Sequence, residues 1–196
     1  MRSCAIVVGG PPSALTATKA LLEVGGTTIL ERMLAQAQPL FDEILLVGNE
    51  PDPYRHLRLP VVPDLYSYGG PLAGLHAALT TCRHSPCFVL AADMPFVTRG
   101  LIERVLEAQG GAPAAVPRVG RQHFPLCAVY NKHLASLAAE RLDKRQLDLP
   151  GFALAAGAAV VDLAGFAEPP ELAMLLSDVD SPEDLLRAEN WARTMR

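Results

Sequence analysis

The amino-acid sequence predicts an α/β protein: a mainly parallel β-sheet in a three-layer arrangement, with helices on both faces. Two observations carry the prediction. Short apolar runs alternate with longer segments of helical periodicity along most of the chain, which is the pattern of crossover units joining parallel strands. The runs Cys4-Ala5-Ile6-Val7-Val8, Ile44-Leu45-Leu46-Val47 and Cys87-Phe88-Val89-Leu90-Ala91-Ala92 are continuously apolar, as in strands buried on both faces. A chain of 196 residues, half of them hydrophobic, is long enough for one domain over residues 1–196 with a sizeable core, and no polar low-complexity linker interrupts it.

The elements follow in order. The first strand, Cys4 to Val8, is closed by Gly9-Gly10 and a loop containing Pro11-Pro12. A helix starts near Thr28, where Ile29, Met33, Leu34 and Ala37 recur at helical spacing. Ile44 to Val47 is a second strand stopped by Gly48-Asn49, and Leu59 to Val62 a short third one ending near Asp64. Pro71 opens a helix through Cys82, a good place for proline because first-turn N–H groups are unpaired anyway. After the strand Cys87 to Ala92, Leu101 to Ala108 is helical, Ala114 to Val116 and Phe124 to Tyr130 are strands, and Lys132 to Leu142 is a helix. Ala158 to Leu163 is a further apolar segment, and the last helix begins at Asp180-Ser181-Pro182-Glu183, with Ser181 as N-cap and Pro182 in the first turn.

Charge and cysteine usage exclude some classes. A net charge of −4 with scattered arginines offers no basic face for nucleic acid. No apolar stretch reaches the roughly 20 residues that span a bilayer, and Arg2 runs straight into a strand without a cleavable signal pattern. The expectation is a cytoplasmic protein without membrane contact. Cys4, Cys82, Cys87 and Cys127 fit a reducing compartment, where cysteine beside apolar strands acts as a small hydrophobe. Cys82-Arg83-His84-Ser85-Pro86-Cys87 has three soft ligands at uneven spacing and no second cluster, so it reads as a turn rather than a zinc site.

Candidate chemistry gathers at strand ends. Asp93 follows the apolar run and precedes Met94-Pro95, so it stands at a strand's carboxyl end, where open α/β sheets bind nucleotides and their metals. The same position suits an Asp that starts a turn or caps the next helix. Gly9-Gly10 lets a ligand approach the backbone, and Lys19 beyond it can balance phosphate charge. Gly69-Gly70 before the Pro71 helix aims N–H groups and a positive dipole end at an anion or base carbonyl, and Gly74 permits close packing. A tight turn explains those glycines equally well. Asp180 could join Asp93 around one Mg²⁺ and a triphosphate, or could cap the last helix.

Five stretches occur in order: Gly9-Gly10 with Lys19-Ala20-Leu21-Leu22, Gly70-Pro71-Leu72-Ala73-Gly74-Leu75, Ala92-Asp93-Met94-Pro95-Phe96, Phe124-Pro125-Leu126-Cys127-Ala128-Val129-Tyr130, and Val179-Asp180-Ser181-Pro182-Glu183-Asp184-Leu185. Together, nearly end to end, they resemble the molybdenum cofactor guanylyltransferases of the MobA-like nucleotidyltransferase superfamily. The resemblance implies a Rossmann-like fold of the nucleotide-diphospho-sugar transferase type. It implies transfer of GMP from GTP to molybdopterin or the molybdenum cofactor with release of pyrophosphate, Mg²⁺ as cofactor, and contact with molybdoenzyme-assembly proteins. It places guanine nucleotide against Val7, Val8, Gly9 and Gly10, phosphates on Lys19, and base and ribose at Asn49 and Asp64. Gly70, Pro71, Leu72, Ala73 and Gly74 would close the pocket, and Asp93 and Asp180 would hold the metal.

One loop departs from the family's pattern. Where the family has Arg, Gly and Asp, this chain has Ala14, Thr16 and Thr18, and Pro11-Pro12 removes two backbone donors from the phosphate loop. Losing one preorganised donor of the arginine kind costs about 10² to 10³ in rate. Alternatives therefore stand beside the guanylyltransferase reading: a non-catalytic nucleotide-binding relative, or a cytidylyl or sugar-phosphate nucleotidyltransferase. Arg118 or Arg121 could supply the missing charge.

Overall fold

The structure is a computed structural model that describes residues 1–9 and 18–195. The expected loop positions Gly10, Pro11, Pro12, Ala14 and Thr16 lie outside the described residues. In chain order, β1 (Ser3–Val7) precedes a 3₁₀ turn at Lys19–Leu21 and a hairpin of β2 (Glu23–Val24) and β3 (Thr27–Thr28). Then come α1 (Ile29–Ala37), β4 (Glu43–Val47), β5 (Val61–Val62), α2 (Pro71–Thr81), β6 (Cys87–Ala91) and α3 (Arg99–Ala108). The remainder is β7 (Ala114–Val119), β8 (Gln122–His123), β9 (Cys127–Tyr130), α4 (Ala135–Asp143), α5 (Leu149–Ala155), β10 (Ala159–Asp162), α6 (Pro169–Leu175) and α7 (Pro182–Thr194).

The main sheet runs β10-β7-β9-β6-β1-β4-β5, with β8 paired to β7. β1 is parallel to both β4 and β6, β5 is parallel to β4, and β10 to β7. Only β9 and β8 run against their neighbours. The mainly parallel α/β expectation therefore holds, and the central strands are apolar on both faces because both are covered. Cys4, Ile6, Leu46, Phe88 and Leu90 pack into the layer of α1, α3, α6 and α7. Their strand neighbours Ala5, Leu45, Val47, Cys87 and Val89 pack against α2, α4 and α5. Each large side chain so buried contributes about 1.5–3 kcal/mol.

Helix starts follow local chemistry. Thr28 and Glu31 form a reciprocal capping box on α1, as do Ser181 and Asp184 on α7. Thr98 caps α3 by accepting from the Leu101 N–H. Some expectations need correction. The strand expected from Phe124 begins only at Cys127, because the Cys127 N–H turns back to the Phe124 carbonyl and Pro125 has no N–H to pair. The third strand shrinks to Val61–Val62. All four cysteines are free and buried. Among the described residues, no helix is long and apolar enough to cross a membrane.

Candidate functional site

β1 is the strand from which the chain's connections diverge. The path leads through α1 to β4 and on to β5 on one side, then returns through α2 to β6 on the other. A crevice opens at such a switch point beyond the carboxyl ends of the strands. The predicted site residues among those described fall along this edge.

Asp93 is delivered by β6. The Ala92 N–H donates to the Val7 carbonyl at 3.0 Å, which carries the sheet pairing one residue further, and Pro95 ends it. The Asp93 carbonyl accepts the Val179 N–H at 2.9 Å, which brings Asp180 alongside. Lys19 enters from the 3₁₀ turn, anchored by buried Ala20. Its Nζ donates to the Asp180 carboxylate and stands 3.6 Å from Asp93 Oδ2. The three residues thus meet although 161 positions separate the outer two.

Neither acid is a helix cap. Thr98 caps α3, and the cap of α7 is made by Ser181 and Asp184, whose Oδ2 accepts the N–H groups of Asp180 and Ser181. Both carboxylates are left for other work. Burial, together with the negative charges of Asp180 and Asp178, holds the Asp93 carboxyl above its ordinary range against the pull of Lys19. Burial lowers the Lys19 pKa, but hydrogen bonding to Asp180 and the charge of Asp93 outweigh it, so the amine is firmly cationic.

The second group lies on the other side of β1. The Val8 and Gly9 N–H groups both donate to the Val47 carbonyl, at 2.8 and 3.3 Å, and draw the ends of β1 and β4 together. A Cβ on Gly48 would lie 2.8 Å from Val8 Cγ2, so that approach requires glycine. The sequence shows Gly48 only as a strand stop; its role as a spacer emerges from the pairing of β1 with β4. Asn49 and Asp64 follow the ends of β4 and β5 and bond to each other: Asn49 Nδ2 donates to Asp64 Oδ2, and the Asp64 N–H donates to Asn49 Oδ1 at 3.0 Å. Burial raises the Asp64 carboxyl above its usual pKa, and the bond from Asn49 opposes this.

Gly74 backs this group. A Cβ there would come within 2.9 Å of Val7 Cγ1, so α2 can cross β1 only with glycine at the contact. Gly70, at φ +53°, precedes Pro71 with open space in front of it. The Leu72 and Ala73 side chains are buried in the core, and their N–H groups turn back to the Gly69 and Gly70 carbonyls. What α2 offers a ligand is therefore its exposed first turn at Gly70 and Pro71, not the side chains of Leu72 and Ala73. Arg118 is engaged elsewhere, its Nη2 bonded to Asp162 Oδ2 at 2.6 Å across β7 and β10; Arg121 is exposed in the turn between β7 and β8.

Chemically, the edge pairs an ammonium and two hard-oxygen acids with a polar, glycine-lined cleft one strand away. The ammonium lying against both carboxylates shows that the pair accepts a cation. Among the described residues no group of three or more His, Cys, Asp or Glu is placed to hold a metal, so a divalent ion there would need oxygens from a bound phosphate, which is how Mg²⁺ is commonly held.

Fold and site define a nucleotidyltransferase. Residues 4–151 match the MobA-like NTP transferase domain, and the chain belongs to that family. It is 32% identical over 191 residues, 97% of this chain and 93% of the relative, to a protein of Pelotomaculum thermopropionicum named "Probable molybdenum cofactor guanylyltransferase". The solved molybdopterin-guanine dinucleotide biosynthesis protein A of Archaeoglobus fulgidus superimposes over the whole of both chains with a TM-score of 0.80 at 23% identity, a likeness of fold. A 2-C-methyl-D-erythritol 4-phosphate cytidylyltransferase of Thermus thermophilus is 26% identical, with a TM-score of 0.68 over 96% of this chain and 98% of that one.

Proposed function

We propose that this protein transfers GMP from GTP to molybdopterin, the organic part of the molybdenum cofactor, and releases pyrophosphate. The observation that supports the reading best is the convergence of Lys19, Asp93 and Asp180 at the β1/β6 switch point, in a chain 32% identical to a protein of that name. The terminal phosphate oxygen of molybdopterin attacks the α-phosphorus of GTP and forms a new P–O bond. The bond from that phosphorus to the oxygen bridging the β-phosphate breaks, and pyrophosphate leaves with the electron pair.

No protein nucleophile takes part, so positioning and charge stabilisation supply the rate. Val7, Val8, Gly9 and Gly10 receive the nucleotide. Lys19 exchanges Asp180 for phosphate oxygens and carries part of their charge. Asn49 and Asp64 face base and ribose, where the Asp64 carboxylate can accept hydroxyl hydrogens, and Gly70 and Pro71 close the pocket while Leu72, Ala73 and Gly74 seat α2 behind it. Asp93 and Asp180 would hold Mg²⁺, which when bound neutralises phosphate charge. In this reading residues 1–196 form one cytoplasmic nucleotidyltransferase domain that hands its product to molybdoenzyme-assembly proteins.

The test is titration calorimetry with GTP, CTP and ATP, each with and without Mg²⁺, followed by a transfer assay with molybdopterin. Mg²⁺-dependent GTP selectivity with pyrophosphate release supports the reading. Preference for CTP would select a cytidylyltransferase, and failure to bind any of the three would overturn nucleotidyl transfer by this chain.

A further inference from the structure

We propose that Arg32 is a positioning residue for the transfer, fixing the spacing between Lys19 and Asp93 without touching either substrate. The inference rests on the reaction proposed above. Arg32 lies on α1, one turn after the Thr28 cap, and both its hydrogen bonds go to main-chain carbonyls. Nη1 donates to the Val24 carbonyl at 3.2 Å, and Nε donates to the Pro95 carbonyl at 3.1 Å. Val24 belongs to the hairpin that follows Lys19, and Pro95 to the turn that follows Asp93. One guanidinium thus bridges the two segments that carry the ammonium and the buried acid.

The bridge is needed because the hairpin cannot hold itself. β2 and β3 have two residues each, and an isolated two-stranded hairpin is marginal even when longer. A further anchor is the Gly25 N–H, which donates to Glu189 Oε1 on α7 at 3.1 Å. A Cβ on Gly25 would sit 3.1 Å from Ala192 Cβ and 3.4 Å from Arg32 Nη1, so the hairpin tip is wedged between α7 and Arg32.

α7 itself starts just after Asp180, and the Val179 N–H is bonded to the Asp93 carbonyl. The links close a ring: hairpin to Arg32, Arg32 to the Pro95 turn, Asp93 to Val179, and α7 through Glu189 back to the hairpin. Arg32 is the member that joins the main chain beyond Lys19 to the main chain beyond Asp93. Its own orientation is fixed by the Phe96 ring, whose centroid lies 5.3 Å from the guanidinium carbon. A planar fork can address two carbonyls at once in set directions, which a lysine ammonium cannot do. Four residues on, Gln36 Oε1 accepts the Arg99 N–H and secures the far end of the same turn to α1.

The test combines amide exchange on the free protein with a kinetic double-mutant cycle. Arg32→Met keeps an unbranched side chain of similar bulk and removes both donors. Exchange should speed up about tenfold or more at 25–28 and at 94, 96 and 97 together, and kcat for guanylyl transfer should fall about 10- to 100-fold with little change in KM for GTP. In a Lys19→Met background, Arg32→Met should cost less than about threefold further, because the two act as one unit. Arg32→Lys should fall near Arg32→Met rather than near the native protein. Faster exchange at one segment only, full additivity with Lys19→Met, or rescue by lysine would each overturn the proposal. If Arg32→Met does not fold, Arg32→Gln, which can serve only one carbonyl well, carries the same comparisons. Should the native protein transfer no GMP, the reaction reading fails; the exchange data then decide whether the clamp exists.

Discussion

At the amino end of the central strands Glu43 is buried and fully engaged: it accepts from Ser3 Oγ at 2.5 Å, from the Arg83 N–H at 2.7 Å and from Arg83 Nε at 2.7 Å. At the carboxyl end Asp93 has a lysine 3.6 Å away and two other acids near it. Burial pushes both carboxyls up. For Glu43 the hydrogen bonds from Ser3 and Arg83 win and hold it below its ordinary range, whereas Asp93 stays above its own. An acid that the fold satisfies serves the fold; an acid left short of donors is available to a ligand.

The largest break in this comparison comes from Asp93→Asn, which should lower guanylyl transfer about 10³-fold while stability against urea stays level or rises. A drop in stability with transfer intact would reverse the two roles. Lys19→Met follows, with transfer down about 10²-fold and weaker GTP binding by calorimetry. Glu43→Gln should do the opposite of Asp93→Asn: it costs about 1–3 kcal/mol in a denaturant titration, because buried donors lose their acceptor, with turnover per folded molecule unchanged. Restoring the family's arginine by Ala14→Arg should raise turnover about tenfold.

The smallest effect is in pH dependence. Because the Glu43 carboxyl is lowered on folding, its stabilisation is present above the unfolded pKa of about 4.3 and is lost as pH falls through the folded value. Asp93, raised on folding, has the reverse sign: its contribution is full below about pH 3.9 and fades as pH rises through the folded value. Urea midpoints against pH should therefore show a flatter acid limb in Glu43→Gln, and a loss of the decline above about pH 4 in Asp93→Asn.

The strands that carry the site were legible because burial on both faces leaves an unbroken apolar run, and the acids because each stands where such a run or a capped helix begins or ends. That Asp93 and Asp180 spend no charge on capping was not legible, since Asp-Ser-Pro-Glu suits a cap at either of its first two residues and only the geometry assigns the task to Ser181 and Asp184. The β2–β3 hairpin escaped because two residues per strand show no period. α5 escaped because Leu149-Pro150-Gly151 looks like loop, yet Asp148 caps it by accepting the Gly151 N–H at 2.6 Å. Arg32 is invisible in one dimension: its partners are carbonyls, which every residue has.

β9 alone among the long strands meets the working edge with its beginning. Its neighbours β6 and β7 arrive there with their ends, so the chain before β9 reaches the crevice from a sheet hairpin, and the Leu126 carbonyl accepts the Ala91 N–H two residues before Asp93. Segments leaving β5 and β6 continue into α2 and α3, which cover a face, so their lengths are constrained by helix seating. The turn at Gly120 and Arg121 has no such obligation. Residues can be inserted or exchanged at that turn without reseating α1, α2 or α3, so the length of this flank is set by the β7–β8 turn alone.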